Sequence, residues 1–203
     1  MRQKDPNNPS RQKIILEGFK LFAKKTFNDI TFADLEEATG LSRGAILYHF
    51  KTKEQIFSEV SNRFITNDEN KLPAIDVHKC MWENIESFVN VKKRQQDFFT
   101  SIGIMNINRA YIHIAVNAMT FSQEILENLS LRRDREIVYW KTLLLMAIEN
   151  GEIKKELDVK LYTQLFLDIF YGYSYTSMML PNGLNLDFLL KQFRQLYVSI
   201  VND

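Results

Sequence analysis

The sequence predicts an all-α protein with a small helix-turn-helix domain at its amino-terminal end and a larger helical bundle after it. Three observations support this prediction. Glycine and proline are scarce, at 7 and 4 of 203 residues, whereas all-β folds need such residues in their turns. Apolar residues recur at helical spacing along most of the chain. Polar capping signals precede several of these apolar runs.

The first helix is predicted at about residues 10–25. Residues 1–9 are polar and contain two prolines, which is typical of a flexible arm. Ser10 is a plausible N-cap, and Ile15, Phe19 and Phe22 then follow at helical spacing.

The second helix has a compact start signal and a clear end. Thr31 and Asp34 have the spacing of a capping box, and Ile30 and Leu35 flank it as a hydrophobic staple. Gly40 is expected to end the helix, because glycine adopts the left-handed conformation without a steric penalty.

The third and fourth helices begin with the same kind of signal. Ser42 is the predicted N-cap of a short helix at about 43–49, and Thr52 with Gln55 forms another capping box. The second and third helices, joined by a short turn that contains Gly40, therefore predict a helix-turn-helix at 31–50.

The third helix has the properties of a recognition helix. Its first residues are Arg43, Gly44 and Ala45. The two small residues allow close approach to a major groove, and the arginine can reach a base edge or a phosphate. Thr31, Ser42 and Lys53 each lie at a helix N-terminus, where free N–H groups and the helix dipole attract phosphate. Each of these caps could instead be purely structural.

The stretch ILEGFKLFAKKTFNDITFADLEEATGLSRGAILYHFKTKEQIF resembles the amino-terminal domain of the TetR/AcrR family of transcriptional regulators. The resemblance covers about residues 10–60. It implies that Thr31, Tyr48, His49 and Lys53 hold phosphates, and that Arg43, Gly44 and Ala45 face bases. It also implies a dimer that contacts a near-palindromic DNA operator.

Three residues depart from the family pattern. Thr26 stands where glycine is usual, and Phe19 replaces a small residue. At position 47 the family usually has a tyrosine, whereas this chain has Leu47 and places its tyrosine one position later, at Tyr48. We expect Leu47 to turn inward, and Tyr48 and His49 to contact the DNA backbone.

Residues 61–203 are predicted to form a helical ligand-binding and dimerisation domain. Helices are expected at about 75–91, 94–104, 108–121, 123–150, 158–179 and 186–201. The last two carry wide apolar stripes, which indicates a four-helix interface with a second copy of the chain. The predicted interface residues are Leu165, Ile169, Tyr173, Leu189, Phe193, Leu196 and Ile200.

This second domain is rich in methionine and aromatic residues, most of which should form the core. A minority are predicted to line a pocket for a small apolar or aromatic effector, with His113, Asn117 and Tyr175 as polar anchors. The full predicted set is Trp82, Phe99, Met105, Tyr111, His113, Asn117, Met119, Trp140, Tyr171 and Tyr175.

Composition and motifs exclude several other functions. The chain has one cysteine and no apolar run long enough to span a membrane, which predicts a cytoplasmic protein without disulfides. No catalytic motif, metal-ligand spacing or cofactor-binding loop is present, so neither an enzyme nor a cofactor is expected. The predicted function is a ligand-responsive transcriptional regulator that acts as a repressor; the alternative is a constitutive DNA-binding regulator without an effector.

Overall fold

The computed structural model of the chain describes residues 5–66, 72–121 and 123–202. The all-α prediction is confirmed: these ranges contain nine α-helices and an isolated antiparallel bridge between Ile153 and Val201. Within them, no helix is both long and apolar enough to cross a lipid bilayer. The helices are α1 (Pro9–Phe22), α2 (Phe32–Thr39), α3 (Arg43–His49), α4 (Lys53–Ser61), α5 (Met81–Ser101), α6 (Ile107–Phe121), α7 (Gln123–Glu149), α8 (Val159–Ser177) and α9 (Leu186–Val198).

The predicted N-caps of α2, α3 and α4 are confirmed at Thr31, Ser42 and Thr52. Helix α1 differs, because Asn8 rather than Ser10 caps it and accepts the N–H groups of residues 10 and 11. Pro9 then occupies the first helical position, where its missing N–H costs no helical hydrogen bond.

Helix α5 is the largest departure from the predicted secondary structure. The sequence suggested two helices at about 75–91 and 94–104, whereas the structure has one helix, Met81–Ser101. This range contains no glycine or proline to break it. The helix begins at Met81, whose N–H donates to the Glu152 carboxylate at 2.9 Å.

The helices form two compact units. The first comprises Met1–Asn67 and Ala110–Leu129, and the second comprises Asp68–Arg109 and Ser130–Asp203. The sequence predicted one boundary near residue 60, but most of α6 and the beginning of α7 belong to the same unit as α1 to α4. Helix α6 therefore contributes residues to both units.

The first unit has a core built on α1 and α4. Phe19 is fully buried and lies 4.5 Å from the Phe64 ring, measured between ring centres, so the bulky residue noted in the sequence fills the core. Gly18 lets α4 approach closely, because a Cβ at this position would lie 3.2 Å from a methyl group of Ile56.

The second unit has an aromatic core that surrounds Trp140. The indole stacks on Phe166 with ring centres 4.7 Å apart and an interplanar angle of 9°. Phe88 and Phe193 approach the same indole at 5.1 and 5.2 Å. The core also holds a buried carboxylate, Glu136, which accepts a hydrogen bond from the Tyr171 hydroxyl and pairs with Arg132.

Candidate nucleic-acid interface

Reciprocal hydrogen bonds cap the N-terminus of α2. The Thr31 hydroxyl accepts the Asp34 N–H at 3.2 Å, and the Asp34 carboxylate accepts the Thr31 N–H at 2.7 Å. The Lys25 ammonium lies 2.6 Å from the other carboxylate oxygen. The hydrogen bonds from Lys25 and Thr31 hold the pKa of Asp34 well below its usual range. Because Lys25 offsets this negative charge, an anionic phosphate can still approach Thr31.

The turn between α2 and α3 is held by a glycine in the left-handed backbone conformation and by a buried threonine hydroxyl. Gly40 has φ of 64°, and its N–H donates to the Glu36 carbonyl at 2.8 Å. The buried Thr39 hydroxyl donates to the Leu35 carbonyl and accepts the Leu41 N–H at 3.2 Å. These contacts set the direction in which α3 leaves the turn.

Helix α3 presents a slim polar end to the surface. Ile46 is fully buried on the inner face, whereas Ser42, Arg43 and Gly44 are exposed. No heavy atom lies within 4 Å of where a Gly44 Cβ would be. The Arg43 guanidinium lies over the Phe32 ring at 5.2 Å, so its resting position is against α2. The amino-terminal end of α3 can therefore enter a major groove, which is about 12 Å wide.

The last turn of α3 exposes an aromatic side chain. Tyr48 is 61% exposed, and its ring meets His49 edge-on with ring centres 5.0 Å apart. Leu47, at the position that departs from the family pattern, is half-buried. The exposed tyrosine hydroxyl can therefore donate to a phosphate, as predicted for Tyr48.

Lys53 has partners that the sequence did not reveal. Its ammonium donates to the carbonyl oxygens of Phe27 and Ile30 at 2.6 and 2.7 Å and lies 4.4 Å from the centre of the Phe27 ring. An ammonium has three N–H donors, so one remains for the predicted phosphate contact. Lys53 thus binds the loop between α1 and α2 at the edge of the candidate interface.

Two residues predicted to anchor an effector lie instead against α1 and the loop after it. The His113 Nδ1 is 2.9 Å from the Phe22 carbonyl oxygen. The Asn117 Oδ1 accepts the Phe27 N–H at 3.1 Å. Residues 22 and 113 are 91 positions apart, and no local pattern indicates such a pair.

The other predicted pocket residues differ widely in exposure. Met105, Met119 and Tyr175 are more than half exposed, whereas Phe99 and Trp140 are buried. The predicted set is divided between the two units. Those in the first unit are Tyr111, His113, Asn117 and Met119, and those in the second are Trp82, Phe99, Met105, Trp140, Tyr171 and Tyr175.

Among the described residues of the second unit, five buried side-chain polar groups lack hydrogen-bond partners: those of Trp140, Thr163, Ser174, Ser177 and Gln192. The Trp140 Nε1 and the Thr163 Oγ1 are inaccessible to solvent and have no donor or acceptor in range. Thr163 lies one turn before Phe166, on which the indole stacks. Residue type and spacing do not single out Thr163, because an unpaired hydroxyl is visible only once its surroundings are known.

The predicted dimer residues divide into two groups. Leu189, Phe193 and Ile200 are fully buried in the core of their own chain, which corrects the expectation that they contact a partner. The apolar stripe of α9 is covered by its own unit. Leu165, Ile169, Tyr173 and Leu196 are half-buried and keep some accessible surface.

The sequence and the structure both resemble those of known regulators. Residues 14–60 match the family described as bacterial regulatory proteins, tetR family. The transcriptional regulator YfiR of Bacillus subtilis is 24% identical over 161 residues, which cover 78% of this chain and 76% of YfiR. The repressor AcnR of Corynebacterium glutamicum is 48% identical over 52 residues, 26% of this chain and 27% of AcnR. Several of the curated relatives are matched over only a quarter to less than half of their length.

A solved structure of a transcriptional regulator from Saccharomonospora viridis, in complex with choline, has a similar fold. Its TM-score is 0.70 at 16% identity, with 96% of this chain and 98% of that chain covered. The likeness therefore extends over the second unit as well as the helix-turn-helix.

Proposed function

Because the chain belongs to the TetR family of bacterial regulatory proteins, we propose that it represses transcription by binding a near-palindromic operator as a homodimer. The exposed amino-terminal end of α3 carries this proposal, since it presents Arg43 and Gly44 beside the capped N-terminus of α2. Repression is chosen over activation because several relatives matched over this region are named repressors.

In this proposal different residues of the first unit contact the bases and the phosphates of the DNA. Arg43 reads a base edge, and Gly44 and Ala45 allow α3 to sit deep in the major groove. Phosphates on either side of the groove are bound by the capped helix N-termini and by the end of α3. These phosphate ligands are Thr31, Ser42, Tyr48, His49 and Lys53.

The homodimer is proposed to form through the outer face of α8 and α9. Leu161, Leu165, Gly172 and Tyr175 follow one another along one stripe of α8, and each keeps accessible surface. Phe188 of α9 is 49% exposed and its ring lies 5.5 Å from that of Tyr173. A two-fold dimer on a near-palindromic operator would hold its two recognition helices about 34–36 Å apart, one turn of DNA.

Release by a small apolar or aromatic effector is the second part of the proposal. The unpaired Trp140 Nε1 and Thr163 Oγ1 support it, because buried polar groups are normally hydrogen-bonded and an effector could supply the partners. The regulator of similar fold from Saccharomonospora viridis was solved in complex with choline, which supports a site for a small organic molecule in this chain. The effector must prefer the DNA-free state, since equal affinity for both states shifts nothing.

The alternative is a regulator that binds DNA without an effector. The close packing around Trp140 favours it, since three rings lie within 5.2 Å of the indole centre. Two surface clefts of the described chain, of about 510 and 410 Å³, are not lined by the predicted pocket residues.

Selection of DNA from a random pool by the full-length protein tests the proposed function. We expect enrichment of an inverted repeat, protected over both half-sites at one protein dimer per site. A thermal-shift screen of apolar metabolites and antibiotics, followed by operator release, then separates effector control from the alternative. Compounds that stabilise the protein but leave operator affinity unchanged would refute effector control. Failure to enrich any inverted repeat would refute the operator proposal.

A further inference from the structure

The loop between α1 and α2 determines where the DNA-facing end of α2 lies. It runs from residue 23 to Ile30 and leads directly into Thr31, the N-cap of α2. Any displacement of this loop moves the Thr31 hydroxyl and the free N–H groups behind it. The contacts that hold the loop are therefore contacts that position a phosphate site.

Helix α6 holds one side of the loop. Asn117 Oδ1 accepts the Phe27 N–H at 3.1 Å, and Asn117 Nδ2 donates to the His113 carbonyl at 2.8 Å, which fixes the amide orientation. His113 Nδ1 donates to the Phe22 carbonyl at 2.9 Å, because a carbonyl oxygen can only accept. All these residues belong to the first compact unit.

Helix α4 holds the same loop through Lys53, whose ammonium donates to the carbonyl of Phe27. The Phe27 ring is buried and meets Phe57 edge-on, with ring centres 5.2 Å apart. Phe27 is thus bound through its N–H by α6, through its carbonyl by Lys53, and through its ring by α4. Its position is set by α4, which directly follows the helix-turn-helix, and by α6, which is distant from it in sequence.

We propose that Asn117 and His113 are positioning residues of the DNA interface. They touch no DNA and instead fix Phe27 and the end of α1, which place the N-terminus of α2 against a phosphate. This proposal deepens the proposed operator function and rests on it.

The test compares Asn117→Leu, Asn117→Asp and the control Asn128→Leu in the full-length protein. The aspartate keeps an acceptor for the Phe27 N–H, whereas leucine removes it. Asn128 donates to Asn62 Oδ1 at 3.3 Å in the same unit, so its replacement removes a comparable bond away from the loop. The readouts are operator affinity, the DNA-competent fraction of each preparation, and amide hydrogen exchange at Phe27.

We expect Asn117→Leu to weaken operator binding roughly fivefold, which is the equivalent of one hydrogen bond. The fraction of protein molecules that can bind DNA should stay the same. Exchange at the Phe27 amide should accelerate, and Asn128→Leu should bind like the unmodified protein. Asn117→Asp should restore part of the affinity, because its carboxylate accepts the Phe27 N–H but cannot donate to the His113 carbonyl. A merely structural role would lower the competent fraction and leave the affinity of the remaining molecules unchanged, which would overturn the proposal. Equal operator affinities for all variants would also overturn the proposal. If the unmodified protein itself bound no operator, the proposed operator function would be refuted instead.

Discussion

The Lys53 ammonium donates to the carbonyl oxygen of Phe27 at 2.6 Å and lies 4.4 Å above the ring of the same residue. A second hydrogen bond joins it to the Ile30 carbonyl at 2.7 Å. One lysine therefore supports the loop that leads to α2 and also brings a positive charge to the edge of the candidate DNA interface.

Replacing Lys53 with methionine should affect stability and DNA binding together. Loss of two hydrogen bonds from a charged donor should lower the free energy of unfolding by about 1–3 kcal/mol. Loss of one phosphate contact should lower the slope of log affinity against log salt by about one. Denaturant titration and operator binding at several salt concentrations measure the two effects. Lys51→Met, which removes a neighbouring exposed lysine, is the control for stability. If the salt slope of Lys53→Met is unchanged, Lys53 has a purely structural role.

Arg43 should determine the preference for one base in each half-site. Arg43→Ala is expected to cost about 1–3 kcal/mol of operator binding and to relax that preference. Arg43→Lys keeps the charge but lacks the planar pair of donors, so it should retain the salt slope and lose the base preference. Binding to a library of single-base operator variants measures this. If Arg43→Ala weakens binding to every variant equally, the guanidinium contacts a phosphate instead.

The capping box of α2 should weaken in acid. The pKa of Asp34 is lowered in the folded state, so its bonds to Thr31 and Lys25 contribute their full stabilisation above the unfolded pKa of about 4. That contribution shrinks as the pH falls from there towards the lowered folded-state pKa, where the carboxylate is protonated and the bonds are lost. The stability difference between the unmodified protein and Asp34→Asn should be constant above about pH 5 and shrink below about pH 4. Urea unfolding from pH 3 to 7 tests this, with Glu37→Gln as a control for removing one carboxylate from the same helix. A difference that does not change over this range would contradict the proposed role of the carboxylate.

Gly172 offers a test of the proposed subunit interface that does not disturb the single chain. A Cβ at this exposed position of α8 meets no heavy atom within 4 Å. Gly172→Gln should therefore raise the stability of the helix by roughly 0.5–1 kcal/mol while its side chain obstructs a partner helix. Sedimentation should show a dimer dissociation constant raised at least about tenfold. Val138→Gln, at an exposed position of α7, should remain dimeric. A Gly172→Gln protein that dimerises normally would place the interface elsewhere.

Replacement by valine should change the stability of the fold in opposite directions at Thr163 and at Thr39. The Thr163 hydroxyl is buried without a partner, so Thr163→Val should stabilise the fold by about 1 kcal/mol. The Thr39 hydroxyl is equally buried but hydrogen-bonded to the Leu35 carbonyl and the Leu41 N–H, so Thr39→Val should destabilise it by about 1 kcal/mol or more. Thermal unfolding without added ligand measures both. A destabilised Thr163→Val protein would indicate that a water or ligand already satisfies the hydroxyl.

The helix starts could be predicted from the sequence because a cap is a local interaction. Thr31, Ser42 and Thr52 each accept an N–H from the residue three positions later, so residue type and spacing are sufficient. Gly40 is similar, since its positive φ is a property of one residue. The helix-turn-helix and its exposed residues follow from these signals.

The partners of Lys53, His113 and Asn117 were settled only by the tertiary structure. Their hydrogen bonds to Phe22, Phe27 and Ile30 span 23 to 91 positions, and the acceptors or donors are backbone groups that every residue carries. The apolar stripe of α9 shows the same limit. Helical periodicity identifies Leu189 and Phe193 as one apolar face, but it does not specify whether that face is covered by its own chain or by a partner. Packing buries both residues in their own unit, because side-chain burial depends on which helices meet in space.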